Sequence, residues 1–295
     1  MTTESLLPPL FILGTQRSGT TLLTRMLSAH KRLFVQNEVN VQKVFLPHAT
    51  TKSITEAIDQ EVHYRFSKHI SDIMQQDEKT HWGIKDPELT YYLQPLSLFL
   101  PQSKFVLIIR DPRAVVNSYM ENKWGLGTTA YTGALRWLDE VTMQLQFADA
   151  HPQNVLVIRF EDLISDIENT LRAICQHIEL DFDTDMLHYN QKKALFVENK
   201  QNVNTNKAPD INLAEKWRTE LTEQQINHIE FVSQSLMLKL NYPVITAAKP
   251  PNMLQKGYFK LHQKIVGEIQ LQIKWRSARR RVQKRKAAQQ KHLNE

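Results

Sequence analysis

The chain has 295 residues, enough for one large α/β domain or two small ones, and its 41% hydrophobic content can fill a real core, which excludes a disordered tail or a short peptide. The formal charge of +6 is unevenly placed: residues 250–295 hold 12 Lys or Arg against only Glu268 and Glu295, so residues 1–249 sum to −4. A single cysteine excludes an intramolecular disulfide framework and a Cys-based zinc site.

Taken in chain order, short β-branched runs alternate with longer amphipathic segments, the pattern of parallel strands joined by crossover helices. Strands are predicted at Leu10–Gly14, Trp82–Lys85, Lys104–Arg110 and Val155–Phe160. Helices are predicted at about Thr20–Ala29, Ile54–Met74, Glu88–Phe99, Arg113–Met120, Thr132–Asp149, Ser165–His177 and Thr222–Leu240. The last of these opens on a Thr-Glu-Gln-Gln capping pattern. Cys175 falls on the apolar face of Leu171, Ile174 and Ile178 and reads as a buried thiol. Residues 198–212, rich in Asn and Lys, read as a polar loop and a candidate lid. Lys249-Pro-Pro251 then divides a body, residues 1–249, from a basic amphipathic helical extension, residues 250–295. The N-terminus has no positive region and carries a proline pair, and the longest aliphatic run is Val106–Ile109. Neither reads as a signal peptide or a membrane span, so the expected location is the cytoplasm.

The most informative segment is the run from Leu10 into Gly14-Thr-Gln-Arg-Ser-Gly-Thr-Thr21, a buried strand breaking into a glycine-bounded loop and then a helix. Such a loop aims backbone N–H groups and a helix N-terminus at one spot, a cradle for phosphate. The spacing is that of a P-loop, except that Thr20 stands where a nucleotide-binding lysine belongs, and Arg17 can supply the cation instead. The second segment, Lys104 through Arg110-Asp-Pro-Arg113 to Ser118, is a strand ending in Arg110 and a helix started by Pro112. If the two strands are neighbours, Arg110 and the Arg17 loop face one crevice at the carboxyl edge of the sheet.

These two segments resemble the cofactor motifs of sulfotransferases that use 3′-phosphoadenosine 5′-phosphosulfate (PAPS), and in particular the tyrosylprotein sulfotransferase type. Leu22-Leu-x-x-Met-Leu-x-Ala-His30, Glu38 and Lys85-Asp-Pro87 are similar to that branch, and Phe160-Glu-Asp-Leu163 and Lys216-Trp-Arg218 to the wider superfamily. The resemblance implies a P-loop-type three-layer α/β fold, with a mostly parallel sheet of four or five strands flanked by helices. It implies that Arg17, Ser18, Gly19, Thr20 and Thr21 grip the 5′-phosphate, that Arg110 and Ser118 hold the 3′-phosphate, and that Lys85 and Arg17 stabilise the transferring group. Glu38 is then the candidate general base. His30 is its runner-up, although a histidine at a helix end also has a structural reading, and Glu38 itself could simply start a helix over Val39–Phe45. Arg113, Lys207 and Lys216 are open candidates for completing the 3′-phosphate site. No metal is implied, since no His, Asp or Glu cluster has ligand spacing.

The branch also carries basic residues after its catalytic glutamate, where this chain has Val39-Asn40-Val41. The departure points away from protein tyrosine and toward a glycan, a lipid-linked intermediate or a small hydroxylated metabolite. A P-loop kinase or NTPase and an inactive membrane-associated module of the same fold are the alternatives. In the extension, Leu254, Tyr258, Leu261, Ile265, Ile269 and Ile273 form an apolar stripe that leads through Trp275 into seven Lys or Arg between 276 and 286. Contact with the anionic inner face of a membrane, packing of the stripe on the body and a homodimer seam are the expectations it raises, and nucleic-acid binding is not expected.

Overall fold

The computed structural model describes residues 8–46, 48–192 and 208–293, with side chains followed only as far as Arg276 in the terminal helix. In chain order the elements are β1 (Leu10–Leu13), α1 (Thr20–Ser28), β2 (Leu33–Asn37), α2 (Val41–Val44), α3 (Thr51–Phe66), α4 (Ile70–Gln76), β3 (His81–Lys85), a 3₁₀ segment (Pro87–Tyr92), α5 (Leu93–Phe99) and β4 (Lys104–Ile109). There follow α6 (Pro112–Asn122), α7 (Ala130–Ala150), β5 (Val155–Arg159), α8 (Phe160–Ser165), α9 (Ile167–His177), two short 3₁₀ turns, α10 (Ile211–Ala214), α11 (Trp217–Glu220), α12 (Glu223–Lys239) and α13 (Met253–Leu293).

The chain divides into two compact units, the first Met1–Asp111 with Glu140–Glu215 and the second Pro112–Asp139 with Lys216–Glu295. The first unit holds a five-stranded, wholly parallel sheet in the order β2-β3-β1-β4-β5. Side chains alternate across a strand with period two. Leu10 and Ile12 therefore face one layer, where they pack with Leu23, Met26 and Leu27 of α1 and with Leu171, Ile174 and Cys175 of α9. Phe11 takes the opposite side, stacking on Phe105 at 5.3 Å, and Phe105 meets Phe147 of α7 edge-on at 5.0 Å. Both faces of the central strands β1 and β4 are thus covered, which is why they read as near-continuous apolar runs, whereas the edge strand β5 leaves Val157 exposed.

The second unit packs Ala114 and Val116 of α6, Ala130 and Ala134 of α7, Trp217 of α11 and Ile226 and Ile229 of α12 into one cluster. The capping pattern expected at Thr222 is present: its side chain accepts from Gln225 N–H, and the Gln225 side chain accepts from Thr222 N–H.

Several expectations need correction. The strand β2 was not anticipated: its Leu-Phe-Val run ends in Gln36 and Asn37, yet all five residues are buried. The long helix expected over 54–74 is two helices, parted at Ser67, which takes a left-handed conformation with φ 55 and so turns the chain without a glycine or proline to mark the break. The segment expected as a helix over 88–99 begins as 3₁₀, with Asp86 capping Glu88 N–H at 2.8 Å. Phe160 opens a helix rather than closing a strand. The proposed lid falls mostly outside the described residues, and its described end is the short helix α10.

Candidate active site

Because every strand runs the same way, the five carboxyl ends make one edge, and each delivers a chemical group there. The Gly14–Gly19 loop follows β1, Glu38 follows β2, Lys85 ends β3, Arg110 follows β4, and Phe160 follows β5. The neighbour relation that the sequence left conditional holds, since β1 pairs directly with β4.

The loop after β1 is tightly built. Ser18 Oγ donates to Thr15 O at 2.8 Å, and Arg17 sits at φ 72. Gly19 caps α1 at φ 101, and a Cβ there would lie 2.3 Å from the Phe160 ring, so no other residue fits without displacing it. No side chain caps the helix and no acidic residue lies in its first turn, where Thr20 is buried and Thr21 half-buried. The positive end of α1 is therefore presented to the loop, a donor set suited to an oxyanion such as the phosphosulfate of PAPS. Arg110 closes one side: its Nη1 donates to Arg17 O at 3.2 Å and its guanidinium lies 4.4 Å from the Phe160 ring centre. Phe160 was legible only as part of a motif, and the structure gives it two contacts, one with the glycine and one with the arginine.

The second half of the site is an ion pair. Lys85 is almost wholly buried, and its Nζ donates to Glu38 Oε1 at 3.0 Å, while the Glu38 side chain is 58% exposed. The register explains the meeting: Asn37 pairs with Lys85 across β2 and β3, so the next residue, Glu38, turns back over it. Glu38 is not part of a helix. It occupies a left-handed turn at φ 60, a conformation costing a non-glycine residue on the order of 1 kcal/mol, and α2 starts only at Val41. The turn is held by Glu38 N–H on Lys85 O at 2.7 Å, Gln36 Nε2 on Glu38 O at 3.0 Å, Arg65 Nη1 on Asn37 O at 2.5 Å and Val39 N–H on Asp86 Oδ2 at 3.1 Å.

Asp86, the middle residue of Lys85-Asp-Pro87, has a role that its place in the motif does not announce. It ties the Glu38 turn to the 3₁₀ segment by accepting from both Val39 and Glu88 N–H. Burial pushes its carboxyl up from 3.8 to about 6; the hydrogen bond from Glu88 opposes that shift, neighbouring Glu38 adds to it, and Lys85 and the Val39 hydrogen bond also oppose it. A carboxyl raised in the folded state contributes stability that is present below pH 3.8 and is lost as pH rises through about 6. Asp86→Asn removes that dependence. Urea unfolding between pH 4.5 and 7.5 should therefore show wild type losing about 2 kcal/mol more than the variant across the window; equal slopes would refute the assignment.

The remaining expected residues are distributed as follows. Ser118 lies on α6 in the second unit, its Oγ accepting from Asn122 Nδ2 at 3.0 Å. Arg113, read as a phosphate helper or a solvated residue, is not solvated: it is buried, with Nη1 on Glu230 Oε1 at 2.7 Å and on Pro243 O at 2.9 Å, and it stacks on Trp217. Lys216 pairs with Glu220 at 2.7 Å and Glu121 at 3.4 Å, and the hydrogen bond to Glu220 raises its pKa. Lys207 lies outside the described residues. His30 is structural: buried, it accepts from Arg32 N–H at its Nδ1, 2.9 Å away, which leaves the Nε2 proton for Asp181 O at 2.8 Å. Cys175 is buried and its thiol is pushed up to about 11, chiefly by burial, which makes it a poor nucleophile.

The sequence profile of the sulfotransferase family matches residues 8–184, more than half of the chain. Protein-tyrosine sulfotransferase A of Caenorhabditis elegans is 26% identical over 266 residues, covering 83% of this chain and 69% of its own. Protein-tyrosine sulfotransferase 1 of Danio rerio is 27% identical over 207 residues, covering 63% of this chain and 57% of its own. Among solved structures, the sulfotransferase domain of the curacin biosynthetic pathway superposes with a TM-score of 0.62 at 21% identity, over 82% of this chain and 100% of that one. The sulfotransferase domain of the Synechococcus PCC 7002 olefin synthase gives 0.62 at 23% identity, over 81% and 96%. These two likenesses establish the fold, and with the profile match they lead to one assignment: the chain belongs to the sulfotransferase family and is a PAPS-dependent sulfotransferase.

Proposed function

We propose that this enzyme moves the sulfuryl group of PAPS to the hydroxyl, or amine, of a glycan, a lipid-linked intermediate or a small metabolite, with Glu38 as the base. The observation that carries the reading is the 3.0 Å contact between Glu38 and the buried Lys85, both on the edge that also carries the phosphate-type loop. PAPS supplies an activated sulfuryl group whose leaving oxygen belongs to a phosphate. Arg17, Ser18, Gly19, Thr20 and Thr21 grip that 5′-phosphate and fix the line of attack. Arg110 holds the 3′-phosphate, and Ser118 is assigned to it on the motif alone. Glu38 Oε1 takes the acceptor proton as the acceptor oxygen bonds to sulfur and the sulfur bond to the phosphate oxygen breaks. Lys85 and Arg17 stabilise the charge that gathers on that departing oxygen, the electrostatic role that dominates such transfers.

The acceptor class is supported by the segment after the base. Val39, Asn40 and Val41 bring no cation, the N–H groups of Val39 and Asn40 are taken by Asp86 and Glu61, and Glu61 also pairs with Lys43 at 3.6 Å. An acidic peptide finds less to bind there than a neutral hydroxyl compound does. The reading includes a cytoplasmic setting, in keeping with a chain whose one cysteine is buried and forms no disulfide. The retained Glu38 and Lys85 oppose an inactive module.

Donor recognition is tested by calorimetry with 3′-phosphoadenosine 5′-phosphate. Wild type should bind it, and Arg110→Ala should bind about 10- to 100-fold more weakly, the loss expected for charged hydrogen bonds; equal affinity would sink the assignment. A screen of hydroxylated acceptors with labelled donor then identifies the substrate.

A further inference from the structure

Helix α13 is docked on its own unit through Phe259, which meets the Tyr131 and His228 rings at 5.7 and 5.2 Å, and otherwise through polar and small groups. Gln263 donates to Gly125 O at 2.6 Å and accepts from Thr128 N–H at 2.8 Å, and Gln270 accepts from Gly125 N–H at 3.0 Å. Gly267 faces the Gly125 backbone, and the Lys274 ammonium sits 3.5 Å from the Trp124 ring centre. At 100° per residue, positions 263, 267, 270 and 274 share one side of the helix. On the other side stand Leu254, Tyr258, Leu261, Ile265, Ile269 and Ile273, exposed by 86%, 60%, 57%, 51%, 53% and 63%. An ordinary amphipathic helix buries its apolar stripe; here that row stands exposed, against the expectation that it packs on the body. An exposed apolar row of this length marks a contact surface.

We propose that this face docks on an anionic lipid surface. The charge next to it selects that occupant. Lys260 and Lys264 are exposed beside the stripe, Trp275 ends it at 56% exposure, and the next eleven residues carry seven Lys or Arg and no acid. Aliphatic side chains entering the acyl boundary, with an interfacial tryptophan and a run of cations for the headgroups, give the two signals that stable peripheral binding needs. A second copy seated on the same face would bring two segments of charge +10 together, and a nucleic acid would leave the aliphatic row unused. The inference does not rest on the sulfuryl-transfer reading.

Sedimentation of the full chain with phosphatidylcholine vesicles, and with vesicles holding about 30% phosphatidylserine, tests it. Binding to the anionic vesicles should exceed binding to the neutral ones by about tenfold or more and weaken as salt is raised. Ile265→Asp with Ile269→Asp, at exposed positions, should lower it by about tenfold. Arg279→Gln with Arg280→Gln and Arg281→Gln should do so without touching the stripe. Equal binding to both vesicle types, or unchanged binding by either variant, overturns the proposal. So does a wild-type dimer in light scattering that Ile265→Asp converts to a monomer while vesicle binding is absent.

Discussion

Glu38→Gln is expected to lower kcat by about 10²–10⁴-fold, the range of a lost general base, while leaving affinity for 3′-phosphoadenosine 5′-phosphate unchanged. Glutamine keeps a carbonyl oxygen that can still accept from Lys85 Nζ, now 3.0 Å from Glu38 Oε1, so the turn and the buried lysine stay in place and only the proton acceptor is removed. At about 1.4 kcal/mol per tenfold, the loss corresponds to roughly 3–5 kcal/mol of transition-state stabilisation. Labelled-donor kinetics on the acceptor found by screening provide the measurement. A rate within a few-fold of wild type would remove Glu38 as the base and leave the half-exposed carboxylate as only the counter-charge of Lys85.

The second large effect concerns stability. Glu230 is fully buried and accepts from Arg113 Nη1 at 2.7 Å, from Thr246 N–H at 2.7 Å, from Thr246 Oγ1 at 2.6 Å and from Ile245 N–H at 3.1 Å. Removing one member of such a pair leaves the other charge buried without its counter-ion, at a cost of about 3–5 kcal/mol. Both Arg113→Ala and Glu230→Ala should therefore destabilise by that amount in urea unfolding. The double variant should cost less than the two together, because the second loss removes a charge already stranded. An Arg113→Ala protein of normal stability but weakened nucleotide affinity would restore the phosphate role that the sequence left open.

The central strands β1 and β4 were legible because a strand covered on both faces becomes an apolar run, as in Phe105–Ile109, and β5 because Val155–Ile158 is aliphatic throughout. The glycine-bounded loop was legible because glycine spacing next to a strand is a local constraint: Gly19 is needed where its Cβ would meet Phe160, even though the identity of Phe160 as the obstacle could not be foreseen. The edge strand β2 was hidden because Gln36 and Asn37, though buried, have side chains that a polarity pattern assigns to the surface. The helix break at Ser67 was hidden because the apolar period of Ile54, Ile58 and Val62 continues smoothly toward Ile70 and Ile73.

By itself the sequence determined the α/β class, the glycine-bounded loop, the cationic residues and the existence of a terminal helix, all of which depend on near neighbours along the chain. Only the tertiary structure decided which partners those residues meet. Glu38 and Lys85 are 47 positions apart and come together through the register of β2 on β3. Arg113 finds Glu230 117 positions away, a buried partner that no local pattern announces. The direction of the α13 stripe was likewise undetermined, because periodicity fixes which residues share a face, whereas which face is covered depends on the free energy of packing. In this chain Gly125, Thr128 and Trp124 satisfy the glutamines and the lysine and leave the aliphatic row outside.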